Sequence, residues 1–152
     1  MANSQAIATS FKRDILNGLH AFGTSVIRAA TTQDSFKAAL FLASASLGAA
    51  TVSYSSTGEV SDASYPAGGI AVTNATAPDI SGTTAFWTPS ANLVFSNVTL
   101  TTAFDAVQIY NDTSASKLTV GIFTFGSQTI TAGNFTLTCP TNDASTGLIR
   151  IA

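Results

Sequence analysis

The chain has 152 residues and a formal net charge of −2, and only 9% of its residues are charged, against ~25% in ordinary globular domains. That length suits one domain with a core of its own, and the lone Cys139 excludes an internal disulfide. Apart from the adjacent Lys12 and Arg13, the Lys and Arg residues are scattered singly, which leaves no basic track for nucleic acid, and a surface so short of charge is expected to be covered by other subunits.

Residues 1–9 are small and polar, a terminus that ordinarily frays. From Ser10, the apolar residues Phe11, Ile15, Leu19 and Phe22 recur at helical spacing, with Ser10 placed as N-cap and Gly23 as stop. The spacing predicts an amphipathic helix over residues 10–22, so residues 1–23 read as arm and helix and residues 24–152 as a β domain. His20, the single histidine, falls on that helix.

Beyond Thr24 the pattern turns to period two with β-branched and aromatic residues. Strands are predicted over residues 26–29, 36–42, 70–74, 84–87, 93–100, 106–111, 118–125, 128–130, 135–138 and 148–151. Residues 36–50 suit a helix as well as a strand, because Ala and Leu dominate them. Within 104–110, Val107 and Ile109 look more core-facing than Phe104, Ala106, Gln108 and Tyr110. Turn signals at 81–82, 111–112, 125–127, 132–134 and 143–147 punctuate the strands as in antiparallel sandwiches and barrels. The apolar part of residues 38–50 is too short to span a bilayer as a helix, which needs ~20 residues, and its polar upstream flank is wrong for a secretory signal. The Asn-x-Ser/Thr sites at Asn74, Asn97, Asn111 and Asn134 reflect strand and turn composition rather than glycosylation.

Chemistry-bearing residues are few. No nucleophile elbow accompanies His20, a lone Cys and a lone His do not make a zinc site, and Asp105, Asp112 and Asp143 lack calcium-loop spacing. No catalytic residue, metal or cofactor is expected. Trp87, Phe86 and Tyr110 offer a weak signal for a sugar-stacking face.

The densest punctuation lies at residues 58–72, where the only glutamate, Glu59, precedes Val60-Ser61, Tyr65-Pro66 and Gly68-Gly69. This resembles the Glu-Val-Ser-Gly-x-Gly-Tyr-x-Ala-Gly-Gly pattern of small virion structural proteins of tailed bacteriophages, with Asp62 and Ser64 at glycine positions and Pro66 after the Tyr. Phe11-Lys12, Leu16-Asn17-Gly18, the Phe36-Lys37 and Ala39-Leu40 pairs, Ala106 to Tyr110, Phe125-Gly126 and Gly133 to Leu137 extend the resemblance along the chain. The resemblance favours a strand and then a loop from Phe36. It implies a mainly β fold, a helix followed by an antiparallel, jelly-roll-like sandwich or barrel, assembled into the virion in the host bacterial cytoplasm. It implies a non-enzymatic head decoration or cement protein bound to the major capsid protein and to copies of itself as dimer or trimer, with no nucleic-acid or membrane partner. The alternative is a tail, neck or fibre-associated component, for which glycan binding is an option rather than a requirement. Glu59, Tyr65, Gly68, Gly69, Phe11 and His20 are the expected interface residues, with Glu59 either accepting backbone N–H bonds from the glycine turn or pairing with an Arg of a neighbour.

Overall fold

The structure, a computed structural model, describes residues 2–8, 11, 15, 19–24 and 33–151. These residues are mainly β. In chain order they form β1 (Ala6–Ile7), β2 (Phe36–Leu42), β3 (Ile70–Val72), β4 (Asp79–Ser81), β5 (Thr84–Trp87), β6 (Leu93–Asn111), β7 (Thr119–Leu137) and β8 (Ile149–Ile151). One sheet has the order β1-β7-β6-β2-β3 and the other β4-β5-β8, and every pairing is antiparallel.

Strand β2 carries apolar residues on both faces because the sheet is covered on both. Phe36, Ala38 and Leu40 join Val107, Ile109 and Val120 in the main core, to which Trp87 and Ile149 of the second sheet also belong. Ala39 and Phe41 join Ala106, Tyr110 and Ile122 in a smaller core, closed by Ala45, Leu47 and Tyr54 from the loop after β2. The ambiguous segment is therefore strand to Leu42 and loop afterwards. Both alternating sets of β6 are buried, so Val107 and Ile109 are no more core-facing than Phe104, Ala106, Gln108 and Tyr110. Even Gln108 is fully buried, its amide donating to Thr119 Oγ1 at 2.7 Å.

The expected breaks at 125–127 and 132–134 lie inside β7, and residues 101–105 lie inside β6. The β6–β7 ladder absorbs extra residues through register shifts instead of ending, and Asn97 (φ 55°) and Ala132 (φ 47°) take the left-handed conformation there. Strands β1 and β4 were not foreseen; a strand of two or three residues is too short to show a period. The strand expected over 26–29 lies outside the described residues.

Most residues of the predicted helix lie outside the described set; Phe11 and Ile15 are helical, and the helix does not extend to Phe22, because Leu19 to Phe22 are not helical. Their backbone groups are bound elsewhere: Ala21 N–H donates to Asp34 Oδ2 (3.1 Å), Asn74 Nδ2 to Ala21 O (3.4 Å) and Asn111 Nδ2 to Leu19 O (3.5 Å). Residues of the arm are bonded to the β domain. Ala6 and Ile7 pair with Ile122 and Gly121 of β7, and Asn3 donates to Leu42 O and Asp105 Oδ1 while accepting from Leu47 N–H.

Candidate functional site

The residues of the Glu59 motif are laid along the outer edge of β2. That edge is shared: β3 covers Phe36 to Ala38, while Leu42 N–H bonds to Gly58 O (2.9 Å) and Val60 N–H to Leu40 O (3.0 Å). Glu59 bridges to Phe41 and is 8% exposed, so its carboxylate is carried under the loop. There it accepts three bonds: from the Tyr54 hydroxyl at 2.5 Å, the Tyr65 hydroxyl at 3.1 Å and Gly68 N–H at 2.8 Å. Tyr65 Oη accepts from Leu40 N–H (2.8 Å), and the Tyr110 hydroxyl donates to Gly68 O (2.7 Å). Tyr54 and Tyr110 stack at 4.4 Å. Every tyrosine of the chain thus belongs to the surroundings of its only glutamate.

The glycine pair is required by space as well as by conformation. Gly69 has φ +81°, and a Cβ there would lie 1.9 Å from Ala38 O, inside the backbone of β2. Gly68, at φ +83°, turns its N–H to the carboxylate.

Burial, the bond to Glu59 and its charge hold the Tyr54 phenol well above its usual pKa. Burial first, then the Glu59 charge, does the same for Tyr65, against the opposing effect of Leu40 N–H. Burial together with the Asp112 and Glu59 charges pushes Tyr110 up to about 12. The phenols stay protonated at ordinary pH and act as donors, not as bases. Among the described residues Glu59 has hydroxyl and amide partners rather than a cation. The arrangement fixes a loop, with three donors on the two carboxylate oxygens.

His20 and Phe11 lie elsewhere, around Phe36 at the start of β2. Phe11 packs edge-on against His20 (4.8 Å), and Phe22 stacks on Phe36 (4.9 Å) and meets Trp87 (4.6 Å). Beside these rings Asn111 Nδ2 donates to Asp34 Oδ2 (2.9 Å) and lies 3.3 Å from His20 Nδ1. Asn111 Oδ1 accepts from Thr113 and Ser114 N–H, which sets the β6–β7 turn. Asn74 accepts from Gly23 N–H (2.7 Å) and donates to Asp34 O (3.0 Å). Phe11, His20, Glu59 and Tyr65 are all buried within the chain. The structure gathers the expected site residues into two clusters.

Sequence reasoning missed Tyr54, Asp34, Asn74 and Asn111 as members. Asn74 and Asn111 carried only a glycosylation pattern, and both side chains are buried. Trp87, Phe86 and Tyr110 are buried too; the Trp87 indole N–H donates to Thr76 O (2.9 Å), so these rings form no exposed stacking platform. Cys139 is partly buried, its thiol donating to Ala91 O, and burial pushes its pKa up. Asp105 anchors Asn3, Asp112 pairs with Lys117 (2.7 Å) and Lys37 (3.6 Å), and Asp143 caps the turn through Ser145 and Thr146. Those donors hold the Asp143 carboxyl far below its usual pKa. Among the described residues, no three His, Cys, Asp or Glu side chains are grouped to hold a metal ion. Comparison with protein-family models, with curated proteins and with solved structures gives no match.

Proposed function

We propose that this protein is a non-enzymatic structural protein of a tailed-phage virion, a head decoration or cement protein that bridges major capsid subunits. The observation that carries the reading is the Glu59 network. Within the motif on which the family resemblance rests, Glu59, Tyr65 and Gly68 are bonded to one another or to β2. A motif of that kind specifies a loop shape, as expected of an adhesive scaffold. The two sheets share a core, in keeping with a sandwich of the type the resemblance implies.

The buried residues Glu59, Tyr65 and Gly69, with the half-buried Gly68, act by holding the loop that presents Ser61, Ala63, Ser64, Pro66 and Ala67 to the outside. This loop, which carries the partly exposed Asp62, is the surface assigned to the capsid. Each copy would add a small contact that the lattice repeats many times.

Mixing purified protein with particles stripped of it tests the reading. Wild type should rebind at a copy number near that of the major capsid protein, and Ala67→Arg should fold normally yet lose occupancy. A few copies per particle would move the protein to the tail or neck, and no binding at all would remove the reading.

A further inference from the structure

The second sheet leaves an uncharged apolar row in the open. Register places Ile80 of β4 opposite Ala85 of β5, and Ala85 opposite Ile151 of β8, so these residues lie side by side on one face. Ile80 is 72% exposed and Ile151 45%. Two residues along the strands, the paired Trp87 and Ile149 point from the same face into the main core. A cleft of about 250 Å³, lined by Phe22, Pro78, Ala85, Trp87 and Ile151 among others, lies between. It is smaller than the ~300 to 1,000 Å³ usual for small-molecule sites and carries no charged group to orient a ligand. The row reads as a contact surface for protein.

Strand β4 is all exposed, and its outer edge pairs with none of the described residues. Ser81 and Thr84 flank a two-residue turn, so by the alternation of antiparallel ladders the main-chain groups of Ile80 face away from β5. In keeping with this, Ile80 N–H is taken up by its own neighbour, Asp79 Oδ1, at 2.8 Å.

We infer that β4 is the contact between two copies of this chain, paired antiparallel about a two-fold axis at Ile80. The sequence Asp79-Ile80-Ser81 is self-complementary in that register. Ile80 meets Ile80 of the second copy, and each Asp79 faces a Ser81 hydroxyl, so no like charges stand opposite one another. The Ile80 N–H leaves Asp79 for the facing carbonyl, and the freed carboxylate accepts from the facing Ser81. The apolar row then runs unbroken across a six-stranded sheet. This inference stands apart from the virion reading, since it rests only on β4, β5 and β8.

Sedimentation equilibrium of the full chain from about 1 to about 300 µM tests it. Wild type should pass from monomer to dimer, and Ile80→Lys should stay monomeric. Ser81→Asp, which sets two carboxylates across the axis, should weaken dimerisation roughly tenfold. Combining it with Asp79→Lys should restore association by placing opposite charges there. All three positions are exposed, so near-UV dichroism from buried Trp87 should be unchanged. A wild-type chain that remains monomeric, a trimer, or a dimer indifferent to both Ile80→Lys and Ser81→Asp would overturn the inference.

Discussion

Tyr65 and Tyr54 both donate to Glu59, but their deletions are not equivalent. The Tyr65 oxygen also accepts Leu40 N–H, a buried amide of β2 that has no β3 partner at that position. Tyr65→Phe therefore removes one bond to a charged acceptor and strands a backbone donor, each worth about 1 to 3 kcal/mol. Tyr54→Phe removes only its bond to Glu59. Urea unfolding should show Tyr65→Phe to be the more destabilised, by about 1 to 2 kcal/mol over Tyr54→Phe. Glu59→Gln is milder than its three donors suggest. The amide oxygen can take the Oε1 position facing Tyr65 and Gly68, leaving the NH₂ to the Tyr54 hydroxyl, which rotates to accept. A loss of about 1 kcal/mol in the same titration is expected. An equal cost for the two tyrosine variants would remove Leu40 N–H from this account.

At the scale of elements, the start of β2 and the β6–β7 turn are held together by polar groups more than by pattern. Asn111 links Asp34, the Leu19 carbonyl and the Thr113–Ser114 turn, all with one buried side chain. Asn111→Ala removes all four of those bonds, strands the Thr113 and Ser114 N–H groups, and should cost about 3 kcal/mol or more by denaturant titration, a loss comparable with deleting a buried Phe ring. Asn111→Asp should also destabilise, because it sets a second carboxyl beside Asp34. A wild-type midpoint for Asn111→Ala would show the cluster to be dispensable. These long-range polar contacts are what the sequence conceals. The β5 and β6 positions were legible from β-branched and aromatic runs, β2 only through the family resemblance because Ala and Leu suit a helix equally, and the Glu59 turn from its glycine pair. The irregular path of Leu19 to Phe22 was not: apolar spacing of three to four suits a helix equally well, and the competing acceptors Asp34 and Asn74 lie at distant sequence positions. The continuity of β7 through Gly126 and Gly133 was hidden because glycine signals a turn locally, while the partner strand decides otherwise.

For the whole molecule, the tyrosine cluster sets a limit on the alkaline side. Each phenol keeps its proton to higher pH when folded than the ordinary value near 10. The folded state thus binds more protons above that value, so the stabilisation is complete below pH 10 and is lost as pH rises toward about 12. The urea midpoint should be level from about pH 7 to 9 and fall steeply beyond about 10, and Tyr65→Phe should flatten that fall. A midpoint unchanged at pH 11 would mean that the phenols ionise as freely as in the unfolded chain.

The pairing of β1 with β7 also constrains how the molecule is made. Ala6 leaves the ribosome 116 residues before its partner Ile122. At roughly 5 to 20 residues per second, the arm waits roughly 6 to 23 s for a strand to join. Over that interval the buried positions Ala8 and Phe11 have none of β7 to pack beside, and the main core still lacks Val120 and Phe135. Folding is deferred to the end of synthesis, and a nascent chain truncated before Thr119 should remain sensitive to protease along its whole length.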